Sequence, residues 1–212
     1  MSLKISEIFF SIQGEGPFIG YPTLFIRLYG CNLNCSWCDT PYAKSGSNFV
    51  EKSIKEIIIF WQKNYFEIPF ITITGGEPLL QKESLALMED LIKEGAVVSL
   101  ETNGSLSIKD VPKDVVIIMD IKTPSSQMSH FNNYNNFNFL QKKDVVKFII
   151  QDKKDFDWSL EIIERYDLLS RVNCLFSPVY GKMSPHELSN WILMTKKPIR
   201  FQIQLHKLLN LK

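Results

Sequence analysis

Three cysteines fall within eight residues in the run Cys31-Asn-Leu-Asn-Cys35-Ser-Trp-Cys38-Asp39-Thr40. Core packing does not call for them, because their neighbours are mostly polar and the thiols are too close together for separate buried positions. A thiolate is a soft donor that suits zinc, copper(I) or iron in an iron–sulfur cluster, and short loops lower the entropic cost of gathering several ligands. A structural zinc site or an electron-transfer [4Fe-4S] cluster normally takes four protein ligands, whereas three leave one metal position open to bind something else. Disulfides or ordinary buried thiols are the alternative, and the crowding argues against them.

A second constellation lies where Phe70-Ile-Thr-Ile-Thr74 runs into Gly75-Gly76-Glu77-Pro78. A strand there meets two residues without side chains, so backbone can approach a small polar ligand. Taken alone, the same four residues would also make a plain turn. Two further strands end in Leu100-Glu101-Thr102-Asn103-Gly104 and Met119-Asp120-Ile121-Lys122-Thr123. In parallel α/β folds ligands gather at strand C-termini, so these ends and the cysteine loop are expected to share one mouth.

The elements that must position these groups alternate along the chain. Strands are expected at about 4 to 12, 23 to 29, 70 to 74, 97 to 101, 115 to 121, 144 to 150, 172 to 176 and 199 to 204. Ile54, Ile57, Ile58 and Trp61 share a helical face after Ser53, and Leu87, Leu91 and Ile92 precede a stop at Gly95. A third helix is expected over about 155 to 168. The last has Ser184 as N-cap, Pro185 at the first position and Glu187 completing a capping box. The pattern predicts a single α/β domain over residues 1 to 212, a parallel sheet with crossovers. Residues 44 to 48 and 123 to 138 read as polar loops; the second, with five asparagines, is either a functional lid or a mobile excursion.

Composition bounds the function. With 45% hydrophobic and 22% charged residues and a net charge of +1, the chain has no global field to attract nucleic acid or an anionic membrane, so a small-molecule substrate is expected. No stretch approaches the roughly 18 apolar residues needed to cross a bilayer. Three clustered cysteines and an isolated Cys174 suit a reducing cytoplasm, with Cys174 a small buried hydrophobe.

The spacing C-x3-C-x2-C followed by Asp39 resembles the signature of the radical S-adenosylmethionine superfamily. The segment Ile12-Gln13-Gly14-Glu15-Gly16, Arg27 four residues before Cys31, Asp39-Thr40, Thr74-Gly-Gly-Glu-Pro, Glu101-Thr-Asn-Gly and Gln204-Leu-His206-Lys207 narrow the resemblance to the 7-carboxy-7-deazaguanine synthases. It covers essentially the whole chain. That resemblance implies a modified, shortened partial (β/α) barrel and a carbon–nitrogen lyase that converts 6-carboxy-5,6,7,8-tetrahydropterin to 7-carboxy-7-deazaguanine with loss of ammonia, towards queuosine and related 7-deazapurines.

Residue by residue, the resemblance assigns a [4Fe-4S] cluster to Cys31, Cys35 and Cys38. S-adenosylmethionine goes to Trp37, Cys38, Asp39, Gly76, Glu101, Asn103, Asp120, Ile121 and Lys122, and to Ser177, Pro178, Val179 and Tyr180. Ile12, Gln13, Gly14, Arg27, Thr74 and the terminal Lys212 are left for the pterin substrate, and Thr40 for magnesium. Arg27 is a fork of donors suited to a carboxylate, Gln13 can donate and accept at a pterin edge, and magnesium takes few protein ligands. From its own sequence context Thr40 would be an ordinary turn residue. The resemblance also implies a reducing partner such as a flavodoxin or ferredoxin, and a homodimer. Two other readings compete: a radical enzyme of the glycyl-radical activase kind, and a non-catalytic metal-binding module.

Overall fold

The computed structural model describes residues 1–211. A long strand, β1 (Ser2–Ile12), turns back along β2 (Pro22–Leu28) as an antiparallel pair. The short β3 (Val50–Ser53) covers the other edge of β1 and feeds α1 (Ile54–Tyr65). There follow β4 (Phe70–Gly75), α2 (Glu83–Lys93), β5 (Val97–Thr102), β6 (Val116–Ile121), β7 (Val145–Ile150) and α3 (Lys153–Arg165). The chain then runs through α4 (Leu168–Arg171), β8 (Asn173–Pro178), α5 (Pro185–Thr195), β9 (Arg200–Phe201) and a last helical turn, α6 (Leu205–Leu208).

All nine strands form one sheet in the order β3-β1-β2-β4-β5-β6-β7-β8-β9, parallel from β2 onward. This is the expected α/β partial barrel, with β3 and β9 at its two edges. Alternation along each strand separates two faces. Leu24, Ile26, Leu28, Ile71, Ile73, Val98, Leu100, Ile117, Met119, Val146, Phe148 and Phe176 are buried in one core with Ile57 and Trp61 of α1, Leu87 and Leu91 of α2, Phe156 and Ile163 of α3 and Leu188 of α5. The opposite, inner face carries Arg27, Thr72, Thr74, Ser99, Glu101, Asp120 and Lys147. Strands covered on both sides normally read as unbroken apolar runs, so a polar inner face marks where the fold makes room for a ligand.

Local chemistry explains most boundaries and the departures from expectation. The reciprocal capping box stands at α1, where Glu56 N donates to Ser53 Oγ (3.2 Å) and Ser53 N to Glu56 Oε2 (2.7 Å). At α5 only half of the predicted box forms, Glu187 N to Ser184 Oγ at 3.4 Å. The third helix starts at Lys153 because Asp152 caps it through Asp155 N (2.9 Å). It breaks near Asp167, which adopts φ +48°, and α4 restarts the turn. Two strand expectations change: β3 is an addition, and β9 is confined to Arg200–Phe201. Beyond it the Gln202 side chain turns to Gly14 and Gly16.

The asparagine-rich segment is neither a lid nor a mobile excursion. It folds into three short 3-10 turns (Pro124–Ser126, Ser129–Phe131 and Tyr134–Asn138) and brackets the ends of β5 and β6. Asn136 is fully buried, donating to Gly104 O (3.1 Å) and Leu106 O (2.8 Å) and accepting from Ile108 N (3.2 Å). Asn132 clamps the main chain of Lys122 on both sides, accepting from its N–H and donating to its carbonyl, each at 2.9 Å.

Candidate active site

A cavity of about 480 Å³ opens at the C-terminal ends of β4 to β7, roofed by the cysteine loop and floored by the loop after β1. Its wall includes Cys31, Cys35, Trp37, Cys38, Asp39, Thr40, Gly76, Glu101, Asn103, Asp120, Lys122, Val179 and Tyr180, together with Ile12, Gln13, Arg27 and Thr74. The structure thus gathers most of the residues singled out from the sequence. Ile121, Ser177 and Pro178 stand behind the wall, Ile121 buried in the helix-side core. Gly14 faces the C-terminal segment, and Lys212 lies outside the described residues.

The cysteine loop is stitched to its surroundings by polar contacts. Cys31 Sγ accepts from Leu33 N (3.4 Å) and Asn103 Nδ2 (3.8 Å), and Asn103 Nδ2 also reaches Asn32 Oδ1 (3.2 Å). Ser36 N donates to Ser126 O (3.2 Å) and its hydroxyl to Ser125 O (2.9 Å), tying the loop to the turn after β6. All three thiols are free, Cys38 exposed and the others partly covered. Among the described residues no three His, Cys, Asp or Glu side chains converge to hold one ion. Cys31, Cys35 and Cys38 all line the one cavity.

Gly75-Gly76-Glu77 lies directly on the backbone leading into Cys31. A Cβ on Gly76 would fall 2.2 Å from Gly30 O and 2.7 Å from Cys31 Cβ; one on Gly75, 2.2 Å from Leu28 O. Glu77, with no exposure, braces the turn to the end of β5 by accepting from Thr102 Oγ1 (2.9 Å), Asn103 N (2.7 Å) and Leu79 N (3.0 Å). Burial raises its pKa against the pull of these donors.

At the other end of the cavity the polar groups form a connected network. Gln13 Nε2 donates to Thr72 Oγ1 (3.0 Å) and Glu101 Oε1 (3.3 Å), and its Oε1 accepts from Glu15 N (3.1 Å). Thr74 Oγ1 donates to Glu101 Oε2 (2.8 Å), so Glu101 bonds both Gln13 and Thr74, two of the residues expected for substrate. Burial and the neighbouring Glu15 carboxylate raise the Glu101 pKa. Arg27 Nε donates to Glu7 Oε1 (2.8 Å), and its guanidinium lies 5.5 Å over Phe9, which stacks on Phe25.

Sequence reasoning assigned no role to Glu15, Lys147, Gln204 or Lys207, which line the same cavity. Lys147 pairs with Glu15, whose second oxygen accepts from Gln204 Nε2 (2.6 Å). Burial works to raise the Glu15 pKa, but the ammonium beside it brings the carboxyl down to about 2. The available signal was a lysine in the middle of Val145-Val-Lys-Phe-Ile-Ile150, where only apolar residues belong. Lys207 reaches Asp39 Oδ2 (3.0 Å) and lies 5.4 Å over the Tyr180 ring, while burial lowers the His206 pKa.

The donor set fits the groups expected there: three free thiols at one mouth, a glycine cradle with no space for a side chain, and a buried Asp120 Oδ1 without a partner among the described residues. The family model described as the radical SAM superfamily matches residues 25–192. The 7-carboxy-7-deazaguanine synthase of Methanospirillum hungatei is 42% identical over 99% of this chain and 86% of its own. That of Clostridium acetobutylicum is 37% identical over 99% and 96%. Among solved structures, QueE from Escherichia coli shares the fold, with a TM-score of 0.82 at 20% identity over 97% of this chain and 95% of its own. SuiB of Streptococcus suis bound to S-adenosylmethionine gives a TM-score of 0.55 at 13% identity over 82% and 48%.

Proposed function

As a member of the radical SAM superfamily and, within it, of the 7-carboxy-7-deazaguanine synthases, the chain is a radical S-adenosylmethionine lyase of queuosine biosynthesis, and we propose in detail how its residues divide the work. The substrate in this reading is 6-carboxy-5,6,7,8-tetrahydropterin, which contracts to 7-carboxy-7-deazaguanine with loss of ammonia. The observation that carries the reading is the Gly75-Gly76 turn locked on the Cys31 backbone above a polar inner face.

Cys31, Cys35 and Cys38 would hold a [4Fe-4S] cluster, which together with S-adenosylmethionine would supply one-electron radical chemistry. Gly76, Trp37, Asp39, Asn103, Asp120, Lys122, Val179 and Tyr180 seat the cofactor at the mouth. Ile121, Ser177 and Pro178 do not line the cavity and support the strand ends from which the cofactor residues Asp120, Lys122, Val179 and Tyr180 project.

Substrate lies deeper, against Ile12 to Gly14, Arg27, Thr74 and Glu101. Because Arg27 Nε is held by Glu7, the substrate carboxylate falls to its terminal amino groups. Gln13 spends its side chain on Thr72, Glu101 and Glu15, so it fixes the wall more than it reads the ring. Gly14 has His206 Nδ1 only 2.1 Å from where a Cβ would be, and its carbonyl accepts from Leu205 N (3.1 Å); it seats the C-terminal segment. The Thr40 side chain caps no turn and lines the cavity, which suits a magnesium ligand. The cytoplasm, a flavodoxin- or ferredoxin-type electron donor and a homodimer complete the proposal; no helix among the described residues is long and apolar enough to cross a membrane.

The test is anaerobic incubation of reconstituted protein with reductant, S-adenosylmethionine, magnesium and the tetrahydropterin. Ring-contracted product and ammonia in equal amounts, formed only when S-adenosylmethionine and reductant are present, are expected. Cofactor cleavage without that product would point to a different substrate, and zinc at the thiols with no cleavage would overturn the radical reading.

A further inference from the structure

Within the mouth, Lys122 brings a buried positive charge to bear on the thiols. It follows β6, its main chain is clamped by Asn132, and its ammonium pairs with Asp120 Oδ2 at 2.9 Å with both side chains about 85% buried. The turn immediately after it, residues 123 to 126, is the one to which Ser36 fastens the cysteine loop. Lys122, Cys31 and Cys35 therefore share one wall on two segments joined by hydrogen bonds.

We propose that the Lys122–Asp120 pair is an electrostatic setting device for the cluster: the Lys122 ammonium raises its reduction potential and the Asp120 carboxylate lowers it. The inference rests on the cluster assignment above. Reduction brings one electron from a reduced flavodoxin- or ferredoxin-type donor and makes the cluster one unit more negative, with no bond or proton changed in the protein. A buried cation nearby favours the more negative form, and a buried anion disfavours it. Burial keeps both effects from being screened by salt, and the Asn132 clamp fixes the main chain from which the cation extends. The unpartnered Asp120 Oδ1 leaves the carboxylate able to bond a ligand while its other oxygen stays on Lys122.

The experiment is reductive titration followed by electron paramagnetic resonance on wild type, Lys122→Met, Lys122→Arg and Asp120→Asn, each reconstituted and assayed for iron and sulfide. No S-adenosylmethionine is added, so cofactor binding does not enter. Lys122→Met is expected to lower the reduced-to-oxidised ratio at a fixed potential about tenfold, a shift of about 59 mV for one electron. Asp120→Asn is expected to raise it, and Lys122→Arg, which keeps the charge, to stay near wild type. A cluster that forms normally with all four potentials equal overturns the inference, as do Met and Asn shifts of the same sign, which would mean general disturbance of the site. Should Lys122→Met fail to retain its cluster, the near-isosteric Asp120→Asn decides alone: no rise, no setting device. Failure of the wild type to form any cluster would instead sink the functional reading itself.

Discussion

Lys147 crosses the inner face of the sheet from the middle of β7 to the carboxylate of Glu15, an ion pair in which each side chain is one-tenth exposed. It sits 3.9 Å from Asp120 as well, so one ammonium serves two carboxylates. Removing one partner of such a pair leaves an uncompensated buried charge, so Lys147→Met should destabilise the protein by about 3 to 5 kcal/mol. The Glu15 pKa is depressed in the folded state from 4.5 to about 2. Its contribution is therefore present above pH 4.5 and is lost as the pH falls through about 2. Urea unfolding at pH 7 and pH 3 should show the gap between wild type and Lys147→Met narrowing in acid; a gap that widens would assign the stabilisation elsewhere.

Gly76→Ala has no room for its methyl group, which would meet the Gly30 carbonyl and Cys31 Cβ, backbone-anchored atoms that cannot swing away. Iron content after reconstitution should drop, and S-adenosylmethionine affinity should fall tenfold or more, about 1.4 kcal/mol. Equilibrium dialysis with labelled cofactor, alongside iron analysis, measures both.

Arg27→Ala should spare the cluster and lower kcat/KM roughly 30-fold or more, since an unpaired buried carboxylate costs about 2 to 5 kcal/mol. Arg27→Lys should rescue only partly, because an ammonium cannot hold Glu7 as Nε does and still present a two-pronged donor. Turnover of Arg27→Ala near that of wild type would place the substrate carboxylate elsewhere, and loss of iron in parallel would make Arg27 structural.

Cys174, at 1% exposure, has its thiol pushed up to about 12 by burial. In cluster-free protein, iodoacetamide at pH 8 should modify Cys38 first, being exposed, and Cys174 only after denaturant is added. Peptide mass mapping separates the four sites.

The chemistry was more legible in the sequence than its scaffold. Local spacing carries the cysteines, the glycine turn and the strand ends, because short-range constraints write themselves as short motifs. Glu15 and Lys147 escaped because they are 132 residues apart and each looks ordinary until the sheet brings them together. The asparagine-rich segment was misread for a related reason. Asn132 and Asn136 act on main-chain groups, which leave no trace in the composition of their partners. Arg27 was identified as a carboxylate fork, but its claim by Glu7 depends on the β1–β2 register, which sets the two residues side by side.

The floor of the cavity joins distant parts of the chain: Gln202 reaches Gly16 across 186 residues and Gln204 reaches Glu15 across 189. On the ribosome this gives assembly a fixed chronology. The cysteines, the glycine turn and Asn103 are all made while Gln202 and Gln204, which brace the loop under the cavity, are still unwritten. Roughly 100 further residues at ~5 to 20 residues per second leave about 5 to 20 s between the two. For that interval the loop after β1 lacks the hydrogen bonds that Gln202 and Gln204 give it in the finished fold. A transcript broken before the Gln202 codon would yield chains with every cysteine in place and the floor beneath them unbraced.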